Sequence, residues 1–215
     1  MNQDDIIEKY IHSLLETGHP PASVYAFVKN LEISEREFFA QFASFAVLES
    51  HIWKRVITDT ISSVEDSEEW AGFSSQQKLL TFYYALCDQI LDRRSFFLAR
   101  FPRLSKGDKP SQSLCGMRHA FTEFTGKILD SGKENGEVAC RGSLTRAYPL
   151  GLFGHLLSVI EFNLDDASSG FERTDAYIEK SVRLAFDVIG TRAVDSAFDL
   201  FRFLSGRSWG PSGQS

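Results

Sequence analysis

The sequence lacks any run of about 18 apolar residues, so it offers no membrane-spanning helix. Its first residues, Met1 to Asp5, are polar and acidic, unlike the basic-then-apolar start of a signal peptide, and a cytoplasmic location is expected. Cysteine is scarce and odd in number. The three, Cys87, Cys115 and Cys140, show no CxxC spacing and read as reduced thiols, not a disulfide frame or a zinc site. The five histidines, His12, His19, His51, His119 and His155, show no HxxxH or HxxE spacing, so no metal is expected. Phosphate-cradling glycine motifs are missing, as is any local Ser-His-Asp or Cys-His signal. The expectation is a protein with no cofactor and no catalytic residue. A surplus of bases is also missing: the net charge is -6. Such a chain is a poor general partner for nucleic acid unless its bases are concentrated in one place.

What is abundant is phenylalanine, at 19 residues in a chain of 215. Rings in that number fill a core or line a ligand cavity. The apolar residues recur at helical steps almost throughout, with no strand alternation and no internal repeat, so the class is all-α. Ile6, Ile7, Tyr10, Ile11, Leu14 and Leu15 form a first stripe, stopped by Gly18, Pro20 and Pro21. Ser23 is a plausible N-cap for a short second helix, and Ser34 with Glu37 forms a capping box for a third. Ser44 opens a longer fourth helix through Ile57. Three short helices and a connector within about 60 residues have the layout of a helix-turn-helix unit.

Beyond a polar turn at 66–75, residues 76–100 read as one ring-rich helix and 114–129 as another. A glycine-containing loop follows at 131–142, then an apolar helix at 147–164 and a last helix at 174–204. The expected division is a head at 1–57, a ligand-binding and dimerisation body at 58–205, and a loose Gly- and Ser-rich tail at 206–215. In the last helix Ile178, Val182, Ile189, Ala193, Ala197 and Leu200 follow 3- and 4-residue steps, a broad apolar face that calls for cover from outside one small body. Gly151 and Gly154 on the helix before it permit close approach of a neighbour. These eight residues are the candidate interface of a two-fold dimer. Ring density on the body helices makes Phe82, Tyr83, Leu86, Phe97, His119, Phe121, Phe124, Phe153 and Phe162 the candidate lining of a pocket for a small apolar ligand.

The ordered set of helix openings in 6–57 resembles the TetR family of one-component regulators. It comprises Gly18 near the end of the first helix, Ser23-Val24 opening the second, and Ile33-Ser34 opening the third. Phe38, Phe39 and Phe42 follow, and then Ser44. The resemblance implies a homodimer held by the last two helices, a ligand cavity in the body, and an operator read by the third helix. There are departures. Glu35 and Glu37 stand where such heads often carry Lys and a phosphate-contacting hydroxyl, Phe39 lacks the usual hydroxyl, Phe45 replaces a Lys, and Glu32 occupies a turn position usually held by Gly. Residues 1–56 hold five bases (Lys9, Lys29, Arg36, Lys54, Arg55) and eight acids (Asp4, Asp5, Glu8, Glu16, Glu32, Glu35, Glu37, Glu49), a balance of -3 that opposes duplex DNA binding. The candidate DNA contacts are Tyr25, Lys29, Arg36, Gln41, Lys54 and Arg55. Three readings remain: a ligand-responsive regulator with unusual DNA contacts; a protein of the same fold that binds a lipid or other hydrophobic molecule without DNA, as the lipid-binding protein of ubiquinone biosynthesis does; and an enzyme, for which no motif speaks.

Overall fold

The computed structural model describes residues 1–102, 112–142 and 144–190. Every regular element among them is helical. The head consists of α1 (Gln3–Thr17), α2 (Val24–Asn30), α3 (Glu35–Phe39) and the first turns of α4 (Phe45–Glu65). Each begins on a side chain that accepts a backbone N–H: Asn2, Ser23, Ser34 and Ser44. α1 ends at Gly18, whose φ of 75° is a left-handed C-cap that a side chain would strain. The turn between α2 and α3 places Glu32 at φ 56°, the conformation expected there for glycine. Ile6, Tyr10, Leu14, Phe27, Phe38, Phe42 and Leu48 are buried together as the head's core.

α4 runs on into the body, where Ile52, Trp53, Val56 and Ile57 are buried. Around it lie α5 (Ser75–Asp92), α6 (Arg94–Arg100), α7 (Cys115–Glu134), α8 (Tyr148–Asp165) and α9 (Glu172–Gly190). α4 and α7 approach closely because Gly116 has no side chain. A Cβ there would strike the Ser50 carbonyl and stand 2.9 Å from Ser50 Oγ.

The single helix expected at 76–100 is two helices, broken at Arg93 (φ -123°, ψ 25°). No glycine or proline marks the break. Phe96 and Phe97 dock on Trp53 beyond it, with centroids 5.1 and 5.0 Å away. The Arg94 guanidinium donates to the Asn163 side chain and to the Asn163 and Leu164 carbonyls, capping the C-terminus of α8. α7 continues to Glu134, past the predicted end at 129 and into the predicted loop. The α8–α9 corner is closed by buried Asp166. Its Oδ1 accepts from the Ser168 backbone and hydroxyl, and its Oδ2 from the backbone and hydroxyl of Thr174. Burial works against the charged carboxylate, but these donors outweigh it and hold the acid well below its ordinary range.

Candidate functional site

Three surfaces bear on function: the outer face of the head, the seam between head and body, and the outer face of α8 and α9. On the head, Tyr25, Lys29 and Arg36 are exposed, Tyr25 at 61%. Phe39 is 50% exposed beside them in sequence. Of the other three DNA candidates, Gln41 and Arg55 are engaged elsewhere. Gln41 Nε2 donates to the Met1 carbonyl at 2.8 Å. Arg55 pairs with Asp4 at 2.7 Å and reaches Asp59 at 3.6 Å. Lys54 is exposed, with its Cβ 3.0 Å from where a Cβ on Gly116 of α7 would stand. Sequence spacing along α4 cannot reveal that the stretch after Leu48 faces the body.

The acids are redistributed too. Glu37 does not project from α3: its carboxylate turns back to accept the Ser34 backbone N–H and hydroxyl, both at 2.8 Å. The bond from the Ser34 backbone, with that from its hydroxyl, holds the acid below the ordinary carboxylate range. Glu49 is buried, with its neutralising charge coming from the body: Arg100 of α6 donates through Nε at 2.7 Å and Nη2 at 2.8 Å. Tyr10 of α1 donates its hydroxyl to the same carboxylate. Burial and then the bond to Glu49 hold that hydroxyl protonated far above the usual range. Three side chains from α1, α4 and α6 thus form one buried polar joint between head and body. Sequence reasoning missed it because Glu49 and Arg100 lie 51 residues apart. The available signal was an acid four residues before Trp53, on the apolar stripe of α4.

In the body, the rings proposed as a pocket lining pack on one another. Phe82 lies 5.4 Å from Phe121 and 5.0 Å from Phe124, and Tyr83 lies 6.3 Å from Phe121. Leu86, Phe97 and Phe153 are likewise buried in the core. His119 is exposed, because it falls about 200° around α7 from Phe121, on the far face. Phe162 stands on the outer face, stacked on Tyr177 at 4.4 Å. The two line a surface groove of about 470 Å³ together with Arg173, Ala176, Lys180, Ser181 and Leu184. Next to this groove, His155 Nε2 meets Ser181 Oγ at 2.8 Å and Nδ1 meets the Tyr83 hydroxyl at 2.9 Å. Burial lowers the imidazole to about 4, so it is neutral at neutral pH. Burial also pushes the Cys87 thiol up to about 12 and makes it unreactive.

The apolar stripe of α9 does not face outward as expected. Ile178, Val182 and Ile189 are buried against the chain's own α5 and α8, because that face of the body needs the cover first. Ala193, Ala197 and Leu200 lie outside the described residues. The outward face of α9 is Tyr177, Ser181, Leu184 and Val188, at steps of four, three and four, with Leu184 63% exposed. On α8, Gly151 and Gly154 are exposed, and a Cβ on either would meet nothing within 4 Å.

A sequence model of the tetracyclin repressor-like C-terminal domain matches residues 78–204. The chain belongs to the TetR family of transcriptional regulators. The crystal structure of a candidate tetR family transcription regulator from Shewanella sp. PV-4 has the same fold, with a TM-score of 0.58 over 88% of this chain and 98% of that one, at 16% identity. No curated protein matches the sequence. The polar joint on Glu49 ties α1 and α4 of the head to α6 of the body. Among the described residues no group of His, Cys, Asp and Glu could hold a metal ion, and no helix is long and apolar enough to cross a membrane.

Proposed function

We propose that this TetR-family regulator is a cytoplasmic homodimer with a head at residues 1–57, a body at 58–205 and a tail at 206–215. Its head grips duplex DNA through few phosphates, and its body responds to a small, largely apolar ligand. The observation that carries the DNA reading is the disposition of the head's acids. The turn into α3 keeps its left-handed residue at Glu32, and α3 keeps its cap. Glu49 is buried on Arg100 and does not meet an approaching phosphate, whereas Glu37, although turned into that cap, stays exposed and charged. What remains on α2, α3 and the turn is Lys29 and Arg36 against Glu32, Glu35 and Glu37, a surplus of one acid and smaller than the head's formal balance.

Fluorescence polarisation against random duplex, from about 20 to 200 mM salt, tests this reading. Each phosphate neutralised contributes about 0.9 to the log–log slope, so a slope of roughly -2 to -3 is expected. A protein that is folded, dimeric and silent at the lowest salt would instead favour the second reading, a binder of hydrophobic molecules without DNA. Glu35, exposed on α3, is the observation on that side.

The dimer reading is supported by the exposed Leu150, Leu184 and Val188 and by the bare glycines of α8. Leu184→Asp puts a charge on that face without touching the core. It is expected to convert a dimer to a monomer by light scattering at micromolar concentration, with the helical circular dichroism unchanged. A variant that stays dimeric would place the interface elsewhere.

A further inference from the structure

A cleft of about 300 Å³ lies where the α5–α6 break at Arg93 meets the head. Its floor is Ile52 and Val56 of α4, both buried. Ile11 and Leu15 of α1, one helical turn apart, form one wall. Leu91 at the end of α5 and Phe96 of α6 form the other. Leu15 is 44% exposed and Leu91 51%. An occupant would therefore take apolar surface on both walls out of water at once. The volume is at the lower end of the range for small-ligand sites. The rings at the centre of the body, by contrast, pack on one another.

Four charged side chains line the same cleft. The two bases are engaged. Arg94 donates to the carbonyls that end α8. Arg93 is the C-cap of α5, where the negative end of the helix dipole balances its charge. The two acids are not. Glu8 of α1 and Asp92 of α5 are exposed, and neither forms an ion pair among the described residues. Asp92 is also the last residue of α5, a helix with no base in its last turn. An acid at that end opposes the dipole, and a cation beside it would relieve both. The cleft therefore combines an apolar floor with two uncompensated carboxylates, one on the head and one on the body.

We propose that this cleft is an effector site for a small apolar molecule carrying one positive charge, such as an aryl-substituted amine. The proposal rests on the ligand-responsive reading above and names where that ligand binds and what charge it carries. The apolar part covers Leu15 and Leu91, and the cation stands with Glu8 and Asp92. α1 and α6 touch beside the cleft, and α6 carries the Arg100 that holds Glu49. An occupant here is thus wedged between the head and the helix that anchors it.

The test uses the full chain with ¹³C-labelled isoleucine methyls and three probes at neutral pH. Benzylammonium and benzyl alcohol are nearly equal in shape and differ in charge, and methylammonium carries the charge without the ring. Ile11→Val, a conservative change, identifies the Ile11 methyl by its loss. Benzylammonium is expected to move that methyl saturably and to bind about three- to tenfold more tightly than benzyl alcohol at low salt. The preference shrinks toward one as salt rises from about 20 to 200 mM. In Glu8→Gln combined with Asp92→Asn, both exposed positions, the preference is lost at low salt while benzyl alcohol binds as before. Three results in the natural protein would each overturn the proposal: equal binding of the two ring probes at low salt, an Ile11 methyl unmoved at saturating benzylammonium, or an equal shift with methylammonium. Saturable shifts of other isoleucine methyls with a silent Ile11 would overturn this site and leave a ligand-responsive body standing. No saturable shift with any probe would count against both. The salt titration on DNA judges the regulator reading independently.

Discussion

The head and the body use ionisable side chains in opposite ways. In the head, acids outnumber bases, yet three of the acids serve structure: Asp5 and Glu37 close capping boxes, and Glu49 sits buried on a base from the other region. In the body, Arg94, His155 and Asp166 are struts joining helices to one another, and the apolar Leu150, Leu184 and Val188 stand exposed among surface charges. A sum of formal charges therefore misjudges the head. What matters to an approaching anion is which carboxylates remain exposed and uncompensated, and burial on Arg100 removes Glu49 from that count. The two regions also share one carboxylate, so neither is electrostatically complete alone.

The sharpest way to break this comparison is to remove the shared charge. Arg100→Ala leaves Glu49 buried without a counter-ion and is expected to cost about 3–5 kcal/mol in urea unfolding. Were the head and body independent, the loss would be confined to the head and far smaller. Glu49→Gln, which keeps shape and hydrogen-bonding capacity, should cost less than Arg100→Ala.

A second prediction concerns the body's neutral histidine. His155 has its folded pKa lowered to about 4 from 6.5, so below 6.5 the unfolded chain binds the extra proton first. Stability from this group is full above pH 6.5 and is lost as pH falls from 6.5 toward 4. The loss is about 1–3 kcal/mol after allowing for the partial exposure of the ring. It is measured as the difference in pH slope between the natural protein and His155→Gln, because carboxylates titrate in the same window. An identical slope in both would mean that His155 is solvated in solution.

The smallest effect belongs to the head's turn. Glu32→Gly relieves a side chain at φ 56° and is expected to raise stability by about 0.4–1 kcal/mol. It also removes an acid from the face proposed to meet DNA, so duplex affinity should rise at low salt. A more stable protein with unchanged affinity would show that this face does not approach phosphates.

The head was the more legible region because its signals are local. Ser23, Ser34 and Ser44 each cap the helix that the sequence places after them, and the strained turn at Glu32 was visible as a missing glycine. The body hides its decisions in long-range packing. The break at Arg93 carries no local breaker, so periodicity ran straight through it. The stripe of Ile178, Val182 and Ile189 was correctly apolar, but a period says which residues share a face and not what that face meets. Ring density identified the core of the body without saying whether the core is filled or hollow. The joint on Glu49 needed three helices that no motif links.

For the proposed dimer the Asp166 corner has a kinetic consequence. With four donors from Ser168 and Thr174 on one carboxylate, α8 and α9 are set at their mutual angle inside each protomer. In the dimer proposed above, a second copy would encounter a face already set, with little ordering left for the encounter itself. Association of this kind is rigid-body docking, limited by orientation at roughly 10⁵–10⁷ M⁻¹s⁻¹ and not by a folding step. Loosening the corner with Asp166→Ala would therefore slow the meeting of two protomers while leaving untouched every residue that meets across the face.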